Sequence, residues 1–183
     1  MEKENLLFQD SDVFTKERPI ELSHSQKESV YKKLAKEIID NDWSDDNIED
    51  IILDLKGLSF TNSGYEKAKE LEGFNAKASY SIDTSFIEWL DDFHSSFSDL
   101  IEENQRRWVI AHNVKPKIKI GQQLIIDKSF SRAKDLKTGK TIFINGYKLE
   151  TGMYLVNEKP SNNSNYIVSY ESIEENCNLI TKQ

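Results

Sequence analysis

The chain has 183 residues, enough for one ordinary domain or two small ones, and its 37% hydrophobic and 31% charged residues are typical of a folded protein. No apolar run approaches the roughly 20 residues that a membrane-spanning helix needs, and the acidic start lacks the features of a secretion signal. Cys177 is the one cysteine, which excludes an internal disulfide and a cysteine-built zinc site. We therefore expect a cytoplasmic protein that uses no membrane, cofactor or metal.

The net charge of −8 divides unevenly along the sequence. Residues 1–104 contain 25 acidic and 11 basic residues, a balance of −14, whereas residues 105–183 contain 7 acidic and 13 basic residues, a balance of +6. One interpretation is that helix surfaces favour acids while strand surfaces use lysine. The other is that the two parts offer two surfaces to two partners, or that one half docks on the other.

Helical patterns fill the front of the chain after an extended arm predicted over residues 1–22. Ser25 with Glu28 predicts a capping box for the first helix, and Ser44 is the predicted cap of the second. Apolar residues at helical spacing predict three helices, over 26–40, 45–56 and 64–72.

The stretch 84–112 is predicted to form one long helix, about 42 Å in length if it is unbroken. Its apolar seam steps by four and three residues and consists of Phe86, Leu90, Phe93, Phe97 and Leu100. The same spacing continues to Asn104 and Arg107. The seam therefore turns polar near its end, where it either leaves the core or surrounds a site.

From Val114 onward the apolar pattern alternates, and five short strands are predicted. Asn145-Gly146 stands between two apolar runs, which predicts a hairpin turn. We expect a small antiparallel β-barrel or rolled sheet over residues 114–183. The predicted fold class is therefore α+β, with an acidic helical domain over 23–113 and a basic β-rich domain after it.

Residues 107–113 read Arg-Trp-Val-Ile-Ala-His-Asn at the end of the long helix. This resembles the HEPN superfamily of helical RNases and RNA-binding domains, whose signature is Arg, a few residues, then His. The resemblance implies that His112 is the general acid or base at the ribose 2′-hydroxyl and that Arg107 stabilises phosphate charge without a metal. Asn104 and Arg106 would be the neighbouring polar groups, and the site would form where two such helices meet in a homodimer.

A structural interpretation of the same residues is that Arg107 lies along the helix end and His112 interacts with the helix dipole. Five residues along a helix rotate by about 140°, so the two side chains would meet across a dimer or through a bent Arg107.

Carboxylates crowd the segment 40–54, as Asp40, Asp42, Asp45, Asp46, Glu49, Asp50 and Asp54. Such a cluster can imitate a nucleic-acid backbone and occupy a basic groove on a nuclease or a repressor. The other interpretation is a solvated helix face. The segment lacks the calcium-loop spacing with its glycine.

Basic residues dominate the β-rich part, as Lys115, Lys117, Lys119, Lys128, Arg132, Lys134, Lys137 and Lys140. Its predicted strands also carry Tyr147, Tyr154, Tyr166 and Tyr170. Basic and aromatic side chains on a small barrel can bind single-stranded nucleic acid, but they can equally form ordinary surface and core.

The favoured hypothesis is a non-enzymatic interaction protein whose acidic helical surface binds a basic protein partner. An inhibitor or immunity protein fits it, and one form is a phage-encoded inhibitor of a nucleic-acid enzyme. The hypothesis rests on the charge division and on the lack of a strong catalytic motif. The alternative is a HEPN-like, metal-independent RNase or RNA-binding protein that uses Arg107 and His112.

Overall fold

The computed structural model describes residues 17–73, 75–130, 133–160 and 165–180. Its helices and strands, with an antiparallel sheet in the second half of the chain, confirm the predicted α+β class. Two compact units divide between Asn104 and Gln105. Within the described ranges, no helix is both long and apolar enough to cross a lipid bilayer. Of the arm predicted over residues 1–22, residues 1–16 lie outside the described residues.

The first unit is helical, and its first two helices begin at caps that differ from the predicted ones. The helices up to the unit boundary are α1 (His24–Asp40), α2 (Ile48–Gly57), α3 (Gly64–Leu71), α4 (Thr84–Asp92) and α5 (Ser95–Ala111), the last of which contains the boundary. Ser23 and Gln26 form the capping box of α1, two residues before the predicted pair. Asn47 caps α2 because its Oδ1 accepts the Asp50 N–H at 3.0 Å, whereas the Ser44 hydroxyl accepts the Asp46 N–H.

The prediction of one unbroken helix over 84–112 is wrong, because a turn at Phe93 and His94 separates α4 from α5. A buried lysine from α3 supplies the physical reason. Lys67 is 1% exposed, and its Nζ donates a hydrogen bond to the Leu90 carbonyl oxygen at 2.9 Å. This oxygen lies in the last turn of α4, so the ammonium satisfies a carbonyl that a continuing helix would have used.

The core of the helical unit combines the inner faces of its helices with a cluster of aromatic rings. Fully buried aliphatic side chains come from α1, α2 and α4, and include Leu34, Ile38, Ile51, Leu55 and Leu90. The Trp43 ring lies 5.0 Å from Phe86 and 5.7 Å from Trp89, measured between ring centroids. Such pairs add to the stabilisation from buried apolar area.

The second unit contains one five-stranded antiparallel sheet. Its strands are β1 (Gln123–Ile126), β2 (Thr141–Lys148), β3 (Met153–Asn157), β4 (Tyr166–Ser169) and β5 (Cys177–Leu179), and the helix α6 (Tyr170–Asn176) precedes β5. The strand order is β4-β3-β2-β1-β5, with β4 and β5 as edges. Because the two edges do not pair within the described residues, the sheet is open. The prediction was a barrel or a rolled sheet, and the closed barrel is wrong.

The prediction of a hairpin turn at Asn145-Gly146 is also wrong, because both residues lie inside β2. The pairing with β3 shifts register between Ile144 and Gly146, which is a β-bulge. A Cβ atom at Gly146 would lie 3.2 Å from Cδ1 of Leu155, so glycine serves close packing of that side chain here. The chain reverses later, where Gly152 adopts a φ of +61°.

One face of the sheet carries the core of this unit. Alternate strand residues enter it, as Leu124, Ile126, Ile142, Ile144, Tyr154, Val156 and Val168, and Tyr170 and Ile173 of α6 pack with them. The Tyr154 hydroxyl accepts the N–H groups of Lys117 and Ile118, both at 3.0 Å. These bonds fix the segment before β1 as an irregular connection, although its alternating isoleucines predicted a strand.

Candidate functional site

Asp54 organises the segment that follows α3. Its carboxylate accepts the Lys77 N–H at 2.8 and 2.9 Å, the Ala78 N–H at 2.9 Å and the Tyr80 hydroxyl at 3.0 Å. Burial, and then the negative charge of Asp54, hold the pKa of Tyr80 well above its usual range, so its phenol remains a donor. Asp54 therefore has a structural role inside the helical unit.

Two further carboxylates of the predicted acidic cluster also serve the fold. Asp46 accepts a hydrogen bond from the Ser79 N–H, which ties the same segment to the start of α2. Asp50 accepts one from the Asn47 side-chain amide, next to the helix cap. Half of the six predicted binding carboxylates thus make bonds within their own unit.

The other three carboxylates, Asp42, Asp45 and Glu49, are exposed, and together they are called the exposed acidic patch below. Asp42 ends α1 in the left-handed conformation with φ +57°, and the following Trp43 N–H donates to the Ile38 oxygen at 3.0 Å. Asp45 precedes α2, and Glu49 lies in the first turn of that helix. No ion pair within the described ranges joins any of the three to a lysine or arginine.

Aromatic side chains accompany this patch in an open depression. Trp43 and Tyr80 line it together with Asp42 and Asp45, and its volume is about 480 Å³. Ser81 also lines the depression, and its backbone N–H donates a hydrogen bond to the Trp43 carbonyl oxygen at 2.7 Å. Carboxylates beside aromatic side chains form a surface that suits a cationic side chain.

His112 lies just beyond the end of α5, in an exposed position. Its Nδ1 is 3.0 Å from the Trp108 carbonyl oxygen, and its ring stacks on the Trp108 indole at 4.7 Å between centroids. Because a carbonyl oxygen only accepts hydrogen bonds, Nδ1 carries the proton of the neutral ring. The lone pair then resides on Nε2, which is the state of a general base.

The other polar residues near His112 differ in their exposure to solvent. Arg107 is half-buried, Arg106 is exposed and Asn104 is buried. Asn113 ends the helix with φ +49°, and the Val114 N–H donates to the Val109 oxygen at 3.0 Å. This hydrogen bond is typical of a helix that ends in a left-handed residue, so the motif coincides with a helix terminus.

Of the side chains predicted to contact nucleic acid in the β-rich part, the lysines are exposed to solvent, whereas two of the tyrosine rings are buried. The exposed cations are Lys115, Lys117, Lys119, Lys134 and Lys137, while Arg132 lies outside the described residues. Lys117 pairs with Glu174. Tyr154 and Tyr170 are 0% and 1% exposed, so these two rings offer no surface on which a base can stack.

Sequence reasoning did not identify Trp43 and Tyr80 as part of the acidic region. A tryptophan among acidic residues was the available signal for Trp43, whereas Tyr80 comes from a distant segment that only the fold brings close. The described residues contain no group of three or more metal-ligating side chains that could hold a metal ion. Comparisons with family models, with curated proteins and with solved structures found no match to this chain.

Proposed function

We propose that this chain is a non-enzymatic binding protein whose helical unit binds a basic protein partner through the exposed acidic patch. The observation that carries the proposal is the exposure of Asp42, Asp45 and Glu49 without an intrachain cation among the described residues. Neighbouring carboxylates repel one another, and a cationic partner relieves that repulsion.

The depression beside the patch supports a specific mode of contact. An arginine or lysine side chain of the partner would enter the depression, where the Trp43 and Tyr80 rings and the carboxylates of Asp42 and Asp45 would all contact it. Cation–π attraction and charge-assisted hydrogen bonds would then act on the same group. Leu53 lies one turn after Glu49 on α2, and its apolar side chain is 55% exposed. In the complex the partner would cover this side chain and exclude water from it.

A nucleic-acid enzyme is the class of partner that we favour. Its binding groove is basic because it neutralises phosphates, and the carboxylates of the exposed acidic patch carry the same sign of charge as those phosphates. An inhibitor of this kind acts by occupying the groove and needs no catalytic residue.

We expect charge reversal of the patch to abolish partner capture while the fold survives. The test variant is Asp42→Asn, Asp45→Lys, Glu49→Lys, in which asparagine tolerates the left-handed conformation at position 42. The control variant, Asp99→Asn, Glu88→Lys, Asp92→Lys, changes the net charge equally at exposed positions of α4 and α5. The measurement is affinity capture from cells that encode the chain, with mass spectrometry of the retained proteins.

The proposal requires a basic protein that the wild type and the control retain and the test variant loses by at least about tenfold. Its affinity should also fall steeply with added salt, since screening shortens the reach of exposed charges. If both variants lose the protein, net charge and not the patch governs binding, and if both retain it, the patch does not bind it. The proposal fails in either case.

The alternative function is a metal-independent RNase, and the state of His112 favours it. The Nδ1 bond to Trp108 orients the ring and leaves Nε2 as the proton acceptor. If His112 is the general base, its replacement by alanine lowers RNA cleavage in EDTA by about a hundredfold or more. His94→Ala is the matched control, since His94 is also an exposed histidine next to a helix end.

Cleavage of RNA by the wild type and by His94→Ala, together with its loss in His112→Ala, would replace our proposal by the RNase. The absence of cleavage by the wild type, or equal cleavage by both variants, would reject the catalytic role of His112.

A further inference from the structure

The outer face of the five-stranded sheet, opposite the core, carries apolar side chains in neighbouring strands. Strand register places Leu155 of β3 directly opposite Ile167 of β4, and Phe143 of β2 lies on the same face. Ile125 of β1 extends the apolar surface toward the other edge. Ile167 is 55% exposed and Ile125 is 39% exposed, so water contacts a surface that would normally be polar.

Charge is nearly absent from this outer face, although 31% of the chain is charged. Within the described strands, Lys148 at the end of β2 is the single charged side chain on the face. The polar members are uncharged and include Gln123, Thr141, Asn157, Ser169 and Asn178. A basic partner therefore finds no electrostatic attraction here, in contrast to the exposed acidic patch.

We propose that the outer face of the sheet is a homodimer interface that a second copy of this chain covers. In a two-fold interface the same surface of both copies meets itself, so a charged side chain near the axis would face the same charge on the copy. Apolar side chains and carboxamides avoid this problem. An amide both donates and accepts hydrogen bonds, so identical Gln and Asn side chains can pair with one another.

The size of the face sets the expected strength of the dimer. Five strands spaced about 4.8 Å apart, with about five residues each at about 3.3 Å, give a face of roughly 24 by 16 Å. Each copy would thus contribute roughly 400 Å², or roughly 800 Å² for the pair, which is below the roughly 1,000 Å² of a stable interface and fits a weak, transient dimer. We expect a dissociation constant on the order of tens of micromolar, with the two sheets packed about 10 Å apart.

The test is sedimentation equilibrium of the full chain from about 1 to about 500 µM, a range that covers such a constant. Ile167→Lys places a cation on the face from an edge strand. Leu149→Lys is the matched control, since Leu149 is 58% exposed but lies in the turn after β2. The wild type and the control should dimerise alike, and Ile167→Lys should weaken dimerisation by at least about tenfold. Circular dichroism of each variant shows that the fold is retained.

A wild type that remains monomeric over the whole range overturns the inference. So does a dimer that Ile167→Lys leaves intact, because its contact would then lie elsewhere, as in a dimer built on the α5 helices. A dimer that both variants weaken equally would also exclude the outer face as its specific interface. None of these outcomes depends on the exposed acidic patch, so the proposed function is tested separately.

Discussion

Replacement of Gly64 by alanine should destabilise the helical unit by about 3 kcal/mol, among the largest effects expected for one added methyl group. Gly64 is the first residue of α3, where the helix crosses α4 at close range. Its N–H donates to the Asp91 side chain. An alanine Cβ would overlap the Ile87 carbonyl oxygen and lie 2.9 Å from Cγ of Asp91. Because backbone atoms obstruct it, no rotamer change relieves the clash.

The measurement is urea unfolding followed by tryptophan fluorescence, because two of the three tryptophans, Trp43 and Trp89, pack against the core of this unit. Gly57→Ala is the control, because Gly57 is the last residue of α2 and nothing lies within 4 Å of a Cβ there. It should leave stability unchanged or raise it by about 0.5 kcal/mol. Equal stability of Gly64→Ala and the wild type would contradict the close packing of α3 on α4.

The helices could be predicted from sequence because their apolar residues repeat at the helical period, and an inward stripe forms a core in almost any packing. The break in the long helix could not be predicted. No glycine or proline marks residues 93 and 94, and the cause is a lysine more than twenty positions earlier that reaches the Leu90 carbonyl. A tertiary contact of this kind leaves no local pattern.

The error at Asn145-Gly146 has a similar origin. The dipeptide favours a tight turn in isolation, but a sheet can also use glycine where a neighbouring side chain crosses the backbone. Leu155 occupies that space in this sheet. The choice between a turn and a bulge therefore depends on the partner strand, which the local sequence does not contain.

The acidic segment was recognised as a cluster, but its division into two roles required the fold. Asp46 and Asp54 accept hydrogen bonds from residues 77–80, which lie more than twenty positions away in the chain. Asp45 is the same residue type as Asp46 and Asp54, but its side chain makes no such bond within the described ranges. Composition cannot separate a carboxylate that holds a loop from one that faces a partner.

The difference between these carboxylates gives the last prediction. Asp54→Ala should lower the free energy of unfolding of the helical unit by about 2 kcal/mol, because the N–H groups of Lys77 and Ala78 lose their charged acceptor. Tyr80→Phe removes one of the bonds to Asp54 and should cost about 1 kcal/mol. Asp45→Ala removes the same charge as Asp54→Ala from an exposed position and should stay within about 0.5 kcal/mol of the wild type.

Urea unfolding of the three variants measures these losses, and amide hydrogen exchange at residues 77 and 78 locates them. Faster exchange at these two amides in Asp54→Ala, with unchanged exchange in Asp45→Ala, is the expected pattern. If Asp45→Ala destabilised the unit as much as Asp54→Ala, general charge effects would govern stability. The division between structural carboxylates and the exposed acidic patch would then be wrong, and partner binding could no longer be assigned to Asp42, Asp45 and Glu49 on structural grounds.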